Sequence, residues 1–324
     1  LQQKFEYKIL WCWIRTKSMK ILVTGGAGFI GSHIVEYLVQ RGDDVTILDN
    51  LNTGKIENLS KVNNDINFVN GDIREYKLLE RLVSDSDGVF HEAALASVQQ
   101  SLKMQDEYFD VNVSGTENIL KLAKEYGFKV VYASSSSVYG NPKQIPIKES
   151  DDRSTVNPYA QTKLEAELLA EKYSEMGVKV IGLRYFNVFG KRQSKEYAGV
   201  IKLFLDRIQQ SKPPKINGDG LQTRDFVYID DVVKANILAM DSDINYKFLN
   251  VGSGLPISIL DLANLIIDAS GLPLKPIYCP ALSGDIKTTQ ADLTSIKKLL
   301  GWQPKTKLRD WLIEVISSKK FECI

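Results

Sequence analysis

Short apolar runs recur through the first half of the chain, each closing on glycine or small polar residues. Lys20–Thr24, Val45–Asp49, Ile66–Asn70, Gly88–His91, Lys129–Ser134 and Val178–Tyr185 read as strands. They are nearly continuous in apolar residues, as strands covered on both faces are. Stretches of helical spacing separate them: Gly31–Arg41, Tyr76–Val83, Asp106–Tyr126 and Pro158–Glu175. Strand and helix in alternation predict the α/β class, a doubly wound parallel sheet whose right-handed crossovers put helices on both faces.

Beyond residue 187 the elements become shorter, punctuated by Pro213, Pro214, Pro256, Pro273, Pro276 and Pro280. We expect a smaller substrate-binding domain there, built from 188–221 and 253–318. The stretch 222–252 is expected to return to the large domain formed by 19–187. Residues 1–18 read as an N-terminal extension, because the first strand begins just after Met19. An added interaction arm is the other reading. Residues 319–324 make a tail. The apolar run Ile9–Ile14 is too short for a membrane span or a signal-peptide core.

Two motifs carry chemistry. Gly25-Gly26-Ala27-Gly28-Phe29-Ile30-Gly31 follows the first strand and opens the first helix. Such a turn lets backbone approach a pyrophosphate, and the helix end offers unpaired N–H groups and partial positive charge. The second strand ends on Asp49, where a carboxylate accepts hydrogen bonds from an adenosine ribose. An acid there, with no arginine beside it, favours NAD over NADP. Downstream, Tyr159 and Lys163 stand four apart on one helix face. Tyrosine ionises near pH 10, and lowering that by about three units takes roughly 4 kcal/mol of differential stabilisation. A nearby ammonium and a positive nicotinamide ring would make Tyr159 a usable base near neutrality.

Other strand ends fit around these. Gly71-Asp72-Ile73 closes the third strand, with Asp72 placed to accept from an adenine amino group and Ile73 to pack on its ring; a turn or helix cap is the plain alternative. Ala93, Ala94 and Leu95 follow the fourth strand, small enough for a ligand to lie across them. Ser134 to Ser137 follow the fifth, and one hydroxyl can face a reacting oxygen. With no Gly-x-Ser-x-Gly elbow where one is needed, Ser135 reads as a hydrogen-bonding partner and not as a nucleophile.

Composition narrows the classes. Lys+Arg of 41 against Asp+Glu of 40 leaves a net charge of +1, no footprint for nucleic acid or a membrane surface. Cys12, Cys279 and Cys323 are unpatterned, which argues against a disulfide framework or zinc site and fits a reducing cytoplasm. The two histidines, His33 and His91, are too few for a metal site and read as structural.

In chain order the segments GGAGFIG, ILDNLNTG, GDI, HEAALASV, NVSGT, SSSSVYG, YAQTK, RYFNVFG, GDGLQTRDFVYIDDV and a late GD, AD and LGW series resemble the extended short-chain dehydrogenase/reductase family, with its Rossmann sheet. Within it the chain is most similar to nucleotide-sugar 4-epimerases of the UDP-glucose/UDP-galactose type, from Met19 to about Trp311. The resemblance implies that Gly25, Gly28, Phe29, Ile30 and Gly31 hold the NAD pyrophosphate. Asp49, Asn50, Asn52, Thr53 and Gly54 would hold the ribose, Asp72 and Ile73 the adenine, and Ala93, Ala94 and Leu95 the groove wall. Asn112 would sit near the reacting centre, Lys163 on the nicotinamide ribose and Phe186 beside the ring. Ser135, with Ser136, would meet the sugar, Asn187 and Arg224 the diphosphate, and Ile216 and Asn217 the uracil. Tyr159 would take the proton of the 4-hydroxyl as C4 is oxidised, and the 4-keto sugar would turn over before reduction on its other face. A homodimer pairing the helices near 106–126 and 158–175 is also implied.

Related dehydratases and decarboxylases carry an acid just before Val-Tyr-Gly, where this chain has Ser136 and Ser137. Leu282 replaces an arginine that clamps the diphosphate in most relatives, which weakens that assignment. Thr289 falls at the position that sets pocket size, and its small side chain suggests room for UDP-GlcNAc as well as UDP-glucose. A net nucleotide-sugar dehydrogenase and a non-catalytic NAD-binding protein stay open; intact Ser135, Tyr159 and Lys163 speak against the latter.

Overall fold

The alternation of strands and helices is realised as one seven-stranded parallel sheet. A computed structural model describes residues 18–193, 199–281 and 286–318; the expected extension (apart from Ser18), the tail and Leu282 lie outside these described residues. The strands are β1 (Lys20–Thr24), β2 (Asp44–Asp49), β3 (Ile66–Asn70), β4 (Gly88–His91), β5 (Lys129–Ser135), β6 (Val180–Tyr185) and, after a long excursion, β10 (Tyr246–Val251). Their order is β10-β6-β5-β4-β1-β2-β3, every neighbour parallel. Strand order reverses between β1 and β4, and ligands of such sheets bind outside the carboxyl ends at that switch point.

Helices cover both faces. On one lie α1 (Phe29–Arg41) and α8 (Ile229–Asp241), whose Ile34, Leu38, Val232 and Ala235 bury against Ile21, Val23, Ile47 and Leu183. On the other lie α2 (Tyr76–Val83), α5 (Gly115–Tyr126) and α6 (Pro158–Glu175), with Leu79, Ile119, Ala166 and Ala170 against Leu22, Val89, Val130 and Val180. Two-sided burial explains the continuous apolar strands.

One expected helix carries an internal π turn. After a short α3 (Val98–Ser101), the helix expected over Asp106–Tyr126 is present and continuous, running from α4 (Gln105–Phe109) through a wide π-helical turn, Asp110–Ser114, into α5. The turn brings buried Asn112 to the backbone of Leu95, accepting from its N at 2.8 Å and donating to its O at 2.9 Å. Local propensity could not reveal a wide turn fixed by that distant contact.

The rest of the chain adds β7 (Asn187–Phe189), α7 (Val200–Gln209), β8 (Lys215–Asn217), β9 (Thr223–Tyr228), β11 (Pro256–Ser258), α9 (Ile259–Ser270), β12 (Ile277–Cys279), α10 (Thr294–Leu300) and α11 (Leu308–Ser317). β11, β9 and β7 form a three-stranded sheet, and β12 and β8 a two-stranded one. A core of its own, with Phe204, Ile216, Leu262, Ile266 and Trp311, holds α7, α9 and α11 together.

Candidate active site

The glycine turn meets its helix at the switch point. Gly25 has φ +70°, and a Cβ there would stand 2.7 Å from Ala93 N; one on Gly31 would stand 2.2 Å from Gly25 O. The β1 turn, the strand end after β4 and the first turn of α1 are therefore packed backbone to backbone. Gly28 caps α1 without a side chain, so the N–H groups of its first turn face outward. Above lies a cavity of about 710 Å³ lined by Gly25, Gly28, Phe29, Ile30, Gly31, Asp49, Asn50, Asn52, Thr53, Asp72, Ile73, Ala93, Ala94 and Leu95. A cradle that any Cβ would fill, opening on uncapped N–H groups, fits a dinucleotide pyrophosphate.

At the β2 and β3 end, Asp49 accepts from Ala27 N at 2.9 Å and Leu51 N at 2.8 Å, and burial raises its pKa. Gly54 lies against this carboxylate; a Cβ there would be 2.8 Å from Asp49 Oδ1. Asp72 is taken up by Arg74, which donates from Nε at 2.9 Å and Nη2 at 2.8 Å, and by Asn50 Nδ2 at 2.9 Å. Arg74 is the main cause of an Asp72 pKa lowered to about 2. A base at this end meets an ion pair where the sequence reading placed a lone carboxylate.

At the β4 and β5 end, Asn157 caps α6 through its bond from Ala160 N at 2.9 Å, and Pro158 opens the helix. Tyr159 and Lys163 thus stand one turn apart beside the end of β5. The Ser135 hydroxyl, which accepts from Ser137 N at 3.2 Å, is near enough to the Tyr159 phenol to act on its ionisation. Buried Lys163 donates from Nζ to Ala133 O at 2.8 Å, and Nζ lies 5.1 Å from the Tyr132 ring centroid. Burial lowers the Lys163 pKa to about 8, partly offset by Glu92 and Glu167. Burial raises that of Tyr159, with nearby Ser135 acting against it. The acidification expected from the amine is thus absent in the polypeptide alone, because the ammonium is bound to a carbonyl and both groups are desolvated.

Buried groups hold this end in place. His91 bridges Thr24 Oγ1 at 2.8 Å and Thr116 Oγ1 at 2.9 Å, and Asn112 Nδ2 reaches Thr162 Oγ1 at 3.0 Å. Burial pushes the His91 pKa down to about 3, so the ring is neutral. Glu167, one turn after Lys163, accepts from Ser134 Oγ at 2.6 Å, Arg184 Nε and Nη2 at 2.8 Å each, and Arg153 Nη1 at 3.1 Å. Helix α6 is thereby clamped to the residue before Ser135. Phe186 is buried with Val138, Tyr139, Ile147 and Ala291 beneath this region.

Asn187, Asn217 and Arg224 line a neighbouring cavity of about 440 Å³. Arg224 Nη1 donates to Thr223 O at 2.8 Å. Its neighbour Asp225 is a buried hub, accepting from the N atoms of Ser253, Gly254 and Ala291. The Ile216 side chain is fully buried in the α7–α9 core, so it offers a ligand only backbone. Thr289 is buried, its Oγ1 accepting from Asp225 N at 3.2 Å. Ser136 stands in the short 3-10 turn Ser136–Tyr139 that Ser135 caps.

Among the cavity residues that the sequence reading did not assign to the site are Arg74, Glu92 and Arg192. Arg192 reaches across from the loop after β7 to Ser32 Oγ at 3.1 Å and to Glu36 of α1. Glu92 had a readable signal, an acid directly after a buried strand in His-Glu-Ala-Ala. Among the described residues, no group of three His, Cys, Asp or Glu is placed to hold a metal ion. None of their helices is long and apolar enough to cross a membrane.

Residues 21–252 match the NAD dependent epimerase/dehydratase family. Among solved structures, the UDP-N-acetylglucosamine 4-epimerase of Methanobrevibacter ruminantium, in complex with UDP-N-acetylmuramic acid, superposes with a TM-score of 0.88 at 38% identity, covering 93% of this chain and 98% of that one. The UDP-glucose 4-epimerase of Thermotoga maritima, with UDP-glucose, gives 0.88 at 37%, covering 94% and 100%. The UDP-N-acetyl-alpha-D-glucosaminuronate decarboxylase of Bacillus cytotoxicus is 36% identical over 92% of this chain and 96% of its own.

Proposed function

Taking as premise that the chain belongs to the NAD dependent epimerase/dehydratase family, matched over residues 21–252, we propose that it inverts the C4 centre of a UDP-hexose. The observation that carries this is the grouping at the end of β5, with Ser135 near enough to the Tyr159 phenol to act on its ionisation and buried Lys163 one turn on. Ser136 and Ser137 stand where related dehydratases and decarboxylases carry an acid, so elimination lacks its proton donor.

Gly25, Gly28 and Gly31 would hold the NAD pyrophosphate, with Asp49 at the ribose and Arg74 with Asp72 at the base. Bound there, NAD would supply the acceptor and donor of hydrogen at C4. Tyr159 moves the proton at the sugar 4-oxygen, and Ser135 orients that oxygen by hydrogen bonding. Lys163, bound to Ala133 O, keeps its ammonium on the cofactor side and favours the phenolate once the positive ring lies alongside. The 440 Å³ cavity takes the nucleotide, with Arg224 and Asn187 at the diphosphate and Asn217 at the base. Holding sugar and ring in register is the chief contribution of the fold.

The small domain of 188–221 and 253–318 carries the substrate side. The small Thr289 side chain, turned to Asp225 N, is the reason to include N-acetylated sugars among the substrates proposed. We place the protein in the cytoplasm as a homodimer joined over α4 and α6, where Phe109 and Leu168 are exposed.

The test is proton NMR of UDP-glucose and, separately, UDP-GlcNAc incubated with the purified chain and NAD. A C4-inverted product at equilibrium is expected from both. Loss of carbon dioxide or water, or release of reduced cofactor in step with product, would overturn the proposal.

A further inference from the structure

Glu92 is a carboxyl where packing asks for none. It follows β4 at the centre of the sheet, on the same edge as Ser135 and Tyr185, and it lines the 710 Å³ cavity. Along this strand end, Phe90 packs into the core beneath α1 and α8, and His91 turns to Thr116 on the opposite face. Glu92 returns to the first face, where Tyr185 Oη donates to its Oε1 at 2.9 Å. Tyr185 is itself fixed by Asn236 of α8, whose Nδ2 donates to the phenol oxygen at 2.8 Å. The carboxyl is thus held from β6 and α8, and the wall it faces belongs to the reacting end, away from Asp49 and Asp72. Partly buried there, an acid loses hydration unless something compensates its charge.

We infer that Glu92 is a positioning residue for the cofactor: a carboxylate under the reacting end of the cradle that favours the positively charged, oxidised dinucleotide and yields a proton when that form binds. This rests on the NAD assignment of the cavity and not on the identity of the sugar.

The charges that face it come from three elements. Lys163 of α6 is the cation whose field it feels, Tyr185 of β6 is its donor, and Tyr132 of β5 lies within its field. Burial raises the Glu92 pKa to about 7, with Tyr185 and Lys163 pulling the other way. His91 and His33 titrate near 3 and 4, Lys163 near 8, and burial raises the Tyr159 and Tyr132 phenols above 10. Between pH 5.5 and 7.5 Glu92 is therefore the member of this group that changes charge most, with Lys163 beginning to lose its proton at the upper end. A positive ring that lowers its pKa by about one unit must, by reciprocity, bind roughly fivefold more tightly across that window.

The experiment is calorimetric titration of NAD+ and of NADH into the full chain freed of nucleotide, from pH 5.5 to 7.5. At pH 6.5 it is repeated in two buffers of different ionisation enthalpy. Expected for the unaltered chain are roughly fivefold tighter NAD+ binding at the higher pH, a smaller change for NADH, and release of about half a proton with NAD+ at pH 6.5. Glu92→Gln should abolish the proton release and lower the preference for NAD+ over NADH. Tyr185→Phe, which keeps the acid but removes its donor, should move the midpoint to higher pH. Full proton release and unchanged preference in Glu92→Gln would overturn the inference. Failure of the unaltered chain to bind either nucleotide would instead overturn the cofactor assignment, and loss of sugar inversion alone would touch neither.

Discussion

Replacing Glu167 with alanine tests whether the clamp behind the candidate base is as consequential as its geometry says. Glu167 is fully buried, Arg184 is 3% exposed, and they meet through paired bonds of 2.8 Å. Four donor contacts end on that carboxylate. In Glu167→Ala, Arg153 can turn to water, but the Arg184 guanidinium keeps only Tyr139 Oη and Glu149 O as acceptors. Breaking a buried pair by removing one partner costs about 3–5 kcal/mol, because the other charge stays behind. At about 2–4 °C per kcal/mol for a domain of this size, the melting temperature should fall by roughly 6–20 °C. Differential scanning fluorimetry at pH 7 reads this directly. The double variant Glu167→Leu/Arg184→Met removes both charges at similar volume and should regain most of the loss. A single-variant shift below about 2 °C, or a double variant no better than the single, would refute the reasoning.

Three further outcomes are expected. Tyr159→Phe should lower kcat by roughly 10²–10⁴ while NAD binding stays intact, since only the proton-transferring oxygen is removed; undiminished turnover by NMR ends the proposed mechanism. Gly31→Ala puts a Cβ 2.2 Å from Gly25 O, so α1 must move off the turn; overpacking of about 1–3 kcal/mol should weaken NAD binding tenfold or more, and an unchanged Kd by titration would show that the cradle is not where NAD sits. Burial lowers the pKa of His33 to about 4 and of His91 to about 3, so their share of stability is full above 6.5 and is lost as pH falls through those values; Glu92, raised to about 7, acts in the opposite direction from 7 down to 4.5. Asp49 and Asp230, also raised by burial, act with Glu92, so the histidine share is read by difference: His91→Gln should lose less stability between pH 6.5 and 4.5 than the unaltered chain, by about 2 kcal/mol in urea titration, and an equal loss would contradict it.

Much of the fold was legible because its signals are local. Two-sided burial writes itself as continuous apolar strands, and a φ of +70° at Gly25 with a 2.7 Å approach to Ala93 N demands glycine. What stayed hidden depends on residues distant in sequence. The π turn at Asp110–Ser114 exists because Asn112 bonds Leu95, seventeen residues away. Nothing near Asp225 in sequence announces that it gathers the N–H groups of Ser253, Gly254 and Ala291. Ile216 was expected to face a base, but a short strand beside α9 turns its side chain wholly into the core.

The pKa values around Tyr159 carry the last step. The sequence predicts that an amine one turn away and a positive nicotinamide ring together acidify the phenol. Burial acts on both members instead: it raises the phenol and lowers Lys163 to about 8. A desolvated site strengthens any charge that enters it, since the same separation is worth several times more at low effective dielectric than in water. The arrangement therefore favours a neutral phenol until a positive ring lies against it, and the base becomes active only in the loaded cradle. A pH profile separates this from acidification by Lys163 alone. If the cofactor supplies the charge, the phenol of the nucleotide-free chain should titrate above 10 by ultraviolet difference against Tyr159→Phe, and fall on addition of NAD+. A phenol already ionised near neutrality without nucleotide would return the credit to the amine.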